Sequence, residues 1–169
     1  RIRQVAFEGN ETLSDRQLRK EMKTRRAWWF LGGKYNEETF EADLQNLVDK
    51  YGDFGRLEAE VADTEFEYSE SGKRVDVTVR VKEGPEYRLD TFETNGNKVF
   101  DDDELMKAVK VEAGDVHNKG QVEADAQAIQ QGYRDSGYIN AKVEPQVTLD
   151  REKKTTHVVD RVEEGDLKY

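Results

Sequence analysis

The sharpest pattern in the chain is an alternation. Val75, Val77, Val79 and Val81 are apolar, and Asp76, Thr78 and Arg80 between them are polar. A period of two predicts a strand with one buried face. Leu57, Ala59 and Val61 alternate in the same way, and Gly72 with its polar neighbours supplies a hairpin turn between the two strands. Upstream the period changes. Phe40, Leu44, Leu47, Val48 and Tyr51 trace a helical face that begins after Asn36, a capping residue. Gly55 follows where a helix end favours a left-handed residue. Ser14 and Gln17 have capping-box spacing, and Leu18 and Met22 follow at i, i+4, which predicts a shorter first helix. The chain opens on a strand from Ile2 to Phe7, closed by the turn residues Gly9-Asn10.

The same order then recurs. Gly9-Asn10 returns as Gly96-Asn97, and Leu18 as Leu105, both at an offset of 87. After a shorter connection the offset is 82: Asn36 matches Asn118, Asp43 Asp125, Leu47 Ile129, Tyr51 Tyr133, Gly55 Gly137, Ala59 Ala141 and Val61 Val143. Val81-Lys82-Glu83-Gly84 matches Val162-Glu163-Glu164-Gly165 at 81. The sequence therefore predicts an α+β chain of two tandem βααββ modules, residues 1–84 and 85–165, joined at Pro85. Each is expected to be a three-stranded mixed sheet with two helices on one face. The first strand returns through two helices, so it can lie parallel to the last, leaving the middle strand at the edge. The first copy carries an insertion between its helices, residues 24–33, with Trp28, Trp29, Phe30 and Leu31 in succession.

Composition narrows the function. The net charge of −10 argues against a nucleic-acid partner, which would require a basic surface. An acidic, solvated surface or an acid-rich proteome accounts for the charge. Cys is absent, which excludes disulfides and thiolate metal sites. No apolar run approaches the ~20 residues of a membrane-spanning helix, and no signal-peptide pattern is present. His117 and His157 are far apart in sequence and are expected at the surface. Asp101-Asp102-Asp103-Glu104 lacks the ligand spacing of a calcium loop and reads as an acidic helix start. No nucleophile has a base beside it. We expect no enzyme, no metal and no cofactor.

In the second copy Tyr133-Arg-Asp-Ser-Gly137-Tyr138-Ile-Asn-Ala141-Lys-Val143, together with the preceding Gly-Asn turn and the closing Val-x-Glu-Gly tetrad, resembles the POTRA (polypeptide-transport-associated) repeat of BamA-type outer-membrane assembly proteins. The first copy carries the same order, with Arg56 in place of the usual aromatic and Phe54 available to fill its space. The insertion resembles the tryptophan-containing loop of certain such repeats. It implies either a packing role or a partner contact for Trp28, Trp29, Phe30 and Leu31.

The resemblance implies the periplasmic portion of an outer-membrane protein from a Gram-negative bacterium, ahead of a C-terminal β-barrel. The implied partners are unfolded outer-membrane proteins, accessory outer-membrane lipoproteins and neighbouring POTRA repeats. Alternatives are the repeats of a two-partner secretion transporter, or a structural spacer without client contact. An edge strand exposes unpaired backbone groups, and an extended client could add to it. This makes Leu57, Ala59, Val61 and Asp63 in the first edge (57–67), and Ile139, Ala141 and Val143 in the second (139–149), the candidate client-binding residues. Pro145 removes a donor from the second edge, so the first is expected to be the better site. Asp160 aligns with Val79 on a buried face, and a wet sheet end is its expected place. Residues 166–169 read as the start of a further repeat, and the chain as an interior slice of a longer array.

Overall fold

The alternating valines form the central strand of the first sheet. The computed structural model describes residues 2–23 and 37–168, in two units, Arg1–Pro85 and Glu86–Tyr169. The first unit runs β1 (Ile2–Glu8), α1 (Asp15–Glu21), α2 (Glu37–Gly52), β2 (Glu60–Tyr68) and β3 (Val75–Lys82). The second runs β4 (Arg88–Asn95), α3 (Asp102–Met106), α4 (Lys119–Asp135), β5 (Lys142–Asp150) and β6 (Thr155–Glu163). The strand orders are β1-β3-β2 and β4-β6-β5. In each sheet the first strand is parallel and the middle strand antiparallel to the central one. The expected βααββ architecture and mixed sheets are therefore what the chain forms.

The caps behave as their spacing predicts. Ser14 with Gln17, and Asp101 with Glu104, form reciprocal capping boxes, and Asn118 accepts from the Gln121 N–H at 3.0 Å. Asn36 and the Trp28–Leu31 cluster lie outside the described residues.

In the first unit Val75, Val77, Val79 and Val81 pack against Leu18, Met22, Phe40, Leu47 and Tyr51 from the helices, making one apolar core. In the second unit the buried residues form two clusters, one around Leu105, Ile129, Tyr133 and Val162 and one of Leu89, Val122 and Val158. Asp160 stands in β6 between Val158 and Val162.

Buried acids hold the helix layer. Asp43 is fully buried and accepts from the Lys23 N–H at 2.7 Å. Asp125 accepts from the N–H groups of Lys110 and Val111 at 2.9 and 3.0 Å, fixing the chain that follows α3 onto α4. His117, expected at the surface, is buried instead. Its Nδ1 lies 2.8 Å from Thr156 Oγ1 in β6, and its backbone N–H donates to Tyr87 O at 2.9 Å. Burial lowers its pKa and favours the neutral ring.

The closing tetrads act as clasps. Glu83 accepts from both the N–H and the hydroxyl of Thr12, at 2.8 and 2.7 Å. Glu164 accepts from Lys98 N, Val99 N and the Tyr133 phenol at 2.5, 2.8 and 2.9 Å. Each carboxylate thus ties the end of the central strand to the loop after the first strand. Burial opposes ionisation of both, but these donors outweigh it and hold both pKa values below the usual glutamate value. Tyr51 is the counterpart of Tyr133; burial and then Glu83 raise its pKa.

The glycines of the Gly-Asn turns are required by close approach. Gly9 and Gly96 have φ of +81° and +90°, and a β-carbon on either would overlap the carbonyl oxygen of Val81 or Val162. Beside them the Asn10 and Asn97 amides donate to Leu13 O and Phe100 O at 2.9 and 3.0 Å. Gly96→Ala is expected to destabilise the second unit by at least ~2 kcal/mol in urea unfolding. Gly132→Ala, in an exposed stretch of α4 with nothing within 4 Å of the new carbon, should stabilise by about 0.5–1 kcal/mol.

Candidate functional site at the sheet edges

Among the described residues β2 and β5 each pair on one side only, so each carries a free backbone edge. The edges begin later than alternation implied. Leu57 and Ala59 precede β2, where Ala59 N donates to Arg56 O at 3.2 Å in a turn. Ile139 and Ala141 precede β5 in the same arrangement, with Ala141 N donating to Tyr138 O at 2.9 Å. Ala59 and Ala141 are buried in their cores, and Ile139 is exposed. Of the candidate residues, Val61 and Asp63 lie in β2 and Val143 in β5. A buried alanine at the close of a turn imitates one step of a strand alternation, which is why sequence placed these starts too early.

The rows of β2 follow from its register. Val61, Thr64, Phe66 and Tyr68 stand opposite Val81, Val79, Val77 and Val75, on the helix side. Glu60, Asp63, Glu65 and Glu67 stand opposite Lys82, Arg80, Thr78 and Asp76, on the other face. The register shifts between Val61 and Asp63, a bulge of the kind that marks sheet edges. Arg80 reaches Glu65, Glu8 and Asp63 at 2.7, 2.8 and 2.9 Å, and these carboxylates raise its pKa, Glu65 most. No proline interrupts β2.

β5 offers less. Its register is unbroken from Lys142 to Asp150. The Val143 N–H donates to the side chain of Gln130 at 3.0 Å, not to β6, so it points away from the sheet. Pro145, two residues on, has the same orientation and no N–H to offer. Two successive outward donors are thereby removed, one by a helix side chain and one by proline. Sequence reasoning found Pro145 and missed Gln130, whose reach depends on how α4 lies along β5.

Asp160 is the other correction. It occupies no wet end: its side chain is 0% exposed and stands opposite Pro145 and Thr94 in mid-sheet. Among the described residues neither carboxyl oxygen has a hydrogen-bond partner. Burial, then the charge of Asp125, push its pKa up to about 6.

A family model described as "POTRA: Surface antigen variable number repeat" matches residues 1–84 and again 87–165. The chain belongs to the POTRA family. Curated relatives of the POTRA chain include the outer membrane protein assembly factor BamA of Neisseria meningitidis serogroup B, 26% identical over 98% of this chain and 21% of that protein. BamA of Neorickettsia risticii is 30% identical over 94% of this chain and 22% of that protein. The chain thus spans about a fifth of the length of these relatives. Among solved structures, POTRA3-5 of Haemophilus influenzae BamA matches with a TM-score of 0.71 and 26% identity, covering 97% of this chain and 66% of that one. The relatives and this structural neighbour are of the BamA type, as the sequence resemblance implied. Among the described residues no helix is long and apolar enough to cross a membrane, and no group of three or more metal-ligating side chains occurs.

The buried carboxyl of Asp160 in the second POTRA module, without a hydrogen-bond partner among the described residues, has a measurable signature. Its pKa of about 6 exceeds the usual aspartate value of 3.8. Between those values the folded chain holds a proton that the unfolded chain has lost. The contribution of Asp160 is therefore most favourable below pH ~4 and is lost as pH rises through ~6. Asp160→Val, copying Val79, is expected to stabilise the second module at pH 7, with a gain over the parent on the order of 2 kcal/mol larger than at pH 4. Asp160→Asn should flatten the same pH limb. Urea titrations across pH 4–7 check both.

Proposed function

We propose that these two modules belong to the periplasmic arm of an outer-membrane β-barrel assembly factor and receive unfolded outer-membrane proteins by β-strand addition. The observation that carries this reading is the asymmetry of the edges. Among the described residues β2 pairs with β3 alone and has no proline along it, whereas Val143 and Pro145 blunt β5. Main-chain hydrogen bonds along a free edge are largely indifferent to side-chain identity, which suits a receptor for many clients. The relatives' name, outer membrane protein assembly factor, supports the same direction. Docking of accessory lipoproteins, neighbouring repeats on either side, and a C-terminal barrel complete the proposed setting. Residues 166–169 would lead into the next repeat. Leu167 and Lys168 lie against Gly137, with Lys168 N donating to Gly137 O at 3.0 Å.

Photo-crosslinking side chains at alternate positions of 57–67 and 139–149, presented with a denatured outer-membrane β-barrel protein, test the proposal. Capture through the β2 segment should exceed capture through β5 several-fold. Capture confined to β5 would overturn the assignment of the site. Co-purification of lipoproteins with no client crosslink at either edge would favour a spacer and scaffold role.

A further inference from the structure

We infer that the β2 edge selects, among extended segments, those with a cationic face: Lys or Arg at alternate positions, with apolar residues between them. The inference rests on the strand-addition reading and specifies its partner.

The outer edge of β2, which no second strand pairs with among the described residues, supplies the docking element, and its two rows of side chains supply the selection. On the face away from the helices the row is Glu60, Asp63, Glu65 and Glu67, all exposed. On the helix side the row includes Val61 and ends at Tyr68, which is 70% exposed. A strand laid along this edge would set alternate side chains beside carboxylates and beside apolar groups. Directly opposed side chains on neighbouring strands are the unit of pairing energy, and opposite charges there attract while like charges repel.

The charge on this face of the sheet is not balanced from within. Glu8, Glu60, Asp63, Glu65, Glu67 and Asp76 share it with Arg3, Arg80, Lys82 and, at the hairpin end where it pairs with Ser69, Arg74, so the acids still outnumber the bases. Arg3 engages Asp76, Arg80 engages Glu8, Asp63 and Glu65, and Lys82 lies 3.7 Å from Glu60. Glu67 stands directly opposite Asp76, a like-charged pair. The side still open to a cation is the outer one, where an added strand would lie. The second module lacks this feature: the corresponding row of β5 is Lys142, Glu144, Gln146, Thr148 and Asp150, of mixed sign. The single-sign row is thus a property of β2 and not of the repeat.

Three capped peptides of equal length test the inference on the whole chain. They share the same apolar positions and carry Lys, Gln or Glu at the alternate ones. Binding is read by amide hydrogen-exchange protection of β2 and by fluorescence anisotropy. The Lys peptide is expected to bind about tenfold more tightly than the Glu peptide, and the difference should collapse near ~0.5 M salt. Glu67→Lys, which places a cation opposite Asp76, should narrow the preference several-fold. Equal protection of β2 by all three peptides would overturn the charge selection and leave strand addition standing. Protection of β2 by none of them would overturn strand addition at this edge and the inference with it.

Discussion

Each module depends on one carboxylate at the end of its central strand. The parallel pairing of β1 with β3, and of β4 with β6, must be closed across the intervening chain of residues 9–74 and 96–154. Antiparallel neighbours are joined by a short turn, but parallel ones have no such local device. Glu83 and Glu164 provide the closure by gripping backbone N–H groups in the loop after the first strand. Gly9 and Gly96 make the grip possible, because only a residue without a β-carbon lets that loop pass so close to the strand. The Val-x-Glu-Gly tetrad and the Gly-Asn turn, far apart in sequence, are thus two halves of one contact.

What could be read from sequence was whatever repeats locally. The valines of β3, the caps at Ser14, Asp101 and Asn118, and the helical face through Tyr133 each obey a short-range period, and the structure keeps them. The central position of the last strand followed from connection lengths. What could not be read was the fate of polar groups facing inward. His117 looks like any surface histidine until Thr156 and Tyr87 O are brought to it by the sheet. Asp160 sits on the buried row of β6, and alignment with Val79 pointed there; the expectation of a wet end came from the cost of burying it unpaired. The chain bears that cost, and Asp160 stands between two clusters of buried residues that the half-buried Phe92 joins.

The two modules therefore share a scaffold while differing in what they can offer. The first has a continuous core beneath a bulged, acidic, proline-free edge. In the second, the carboxyl of Asp160 and the ring of Pro145 are set opposite each other across β5 and β6, and Gln130 holds the next outward amide. Core and edge are thus modified at the same level of the sheet, so the second module is both less apolar inside and less able to pair outside.

The parallel pairing has a mechanical consequence. The first and last strands of each module are neighbours and run the same way, so the chain enters beside one end of the central strand and leaves at the other. Tension applied between a module's two ends would shear that ladder, loading its hydrogen bonds together instead of peeling them one at a time. The antiparallel strands β2 and β5 hang beside this line of force and carry little of it. A module built this way resists a pull between its two ends, while the outer edge of β2 or β5 stays at rest.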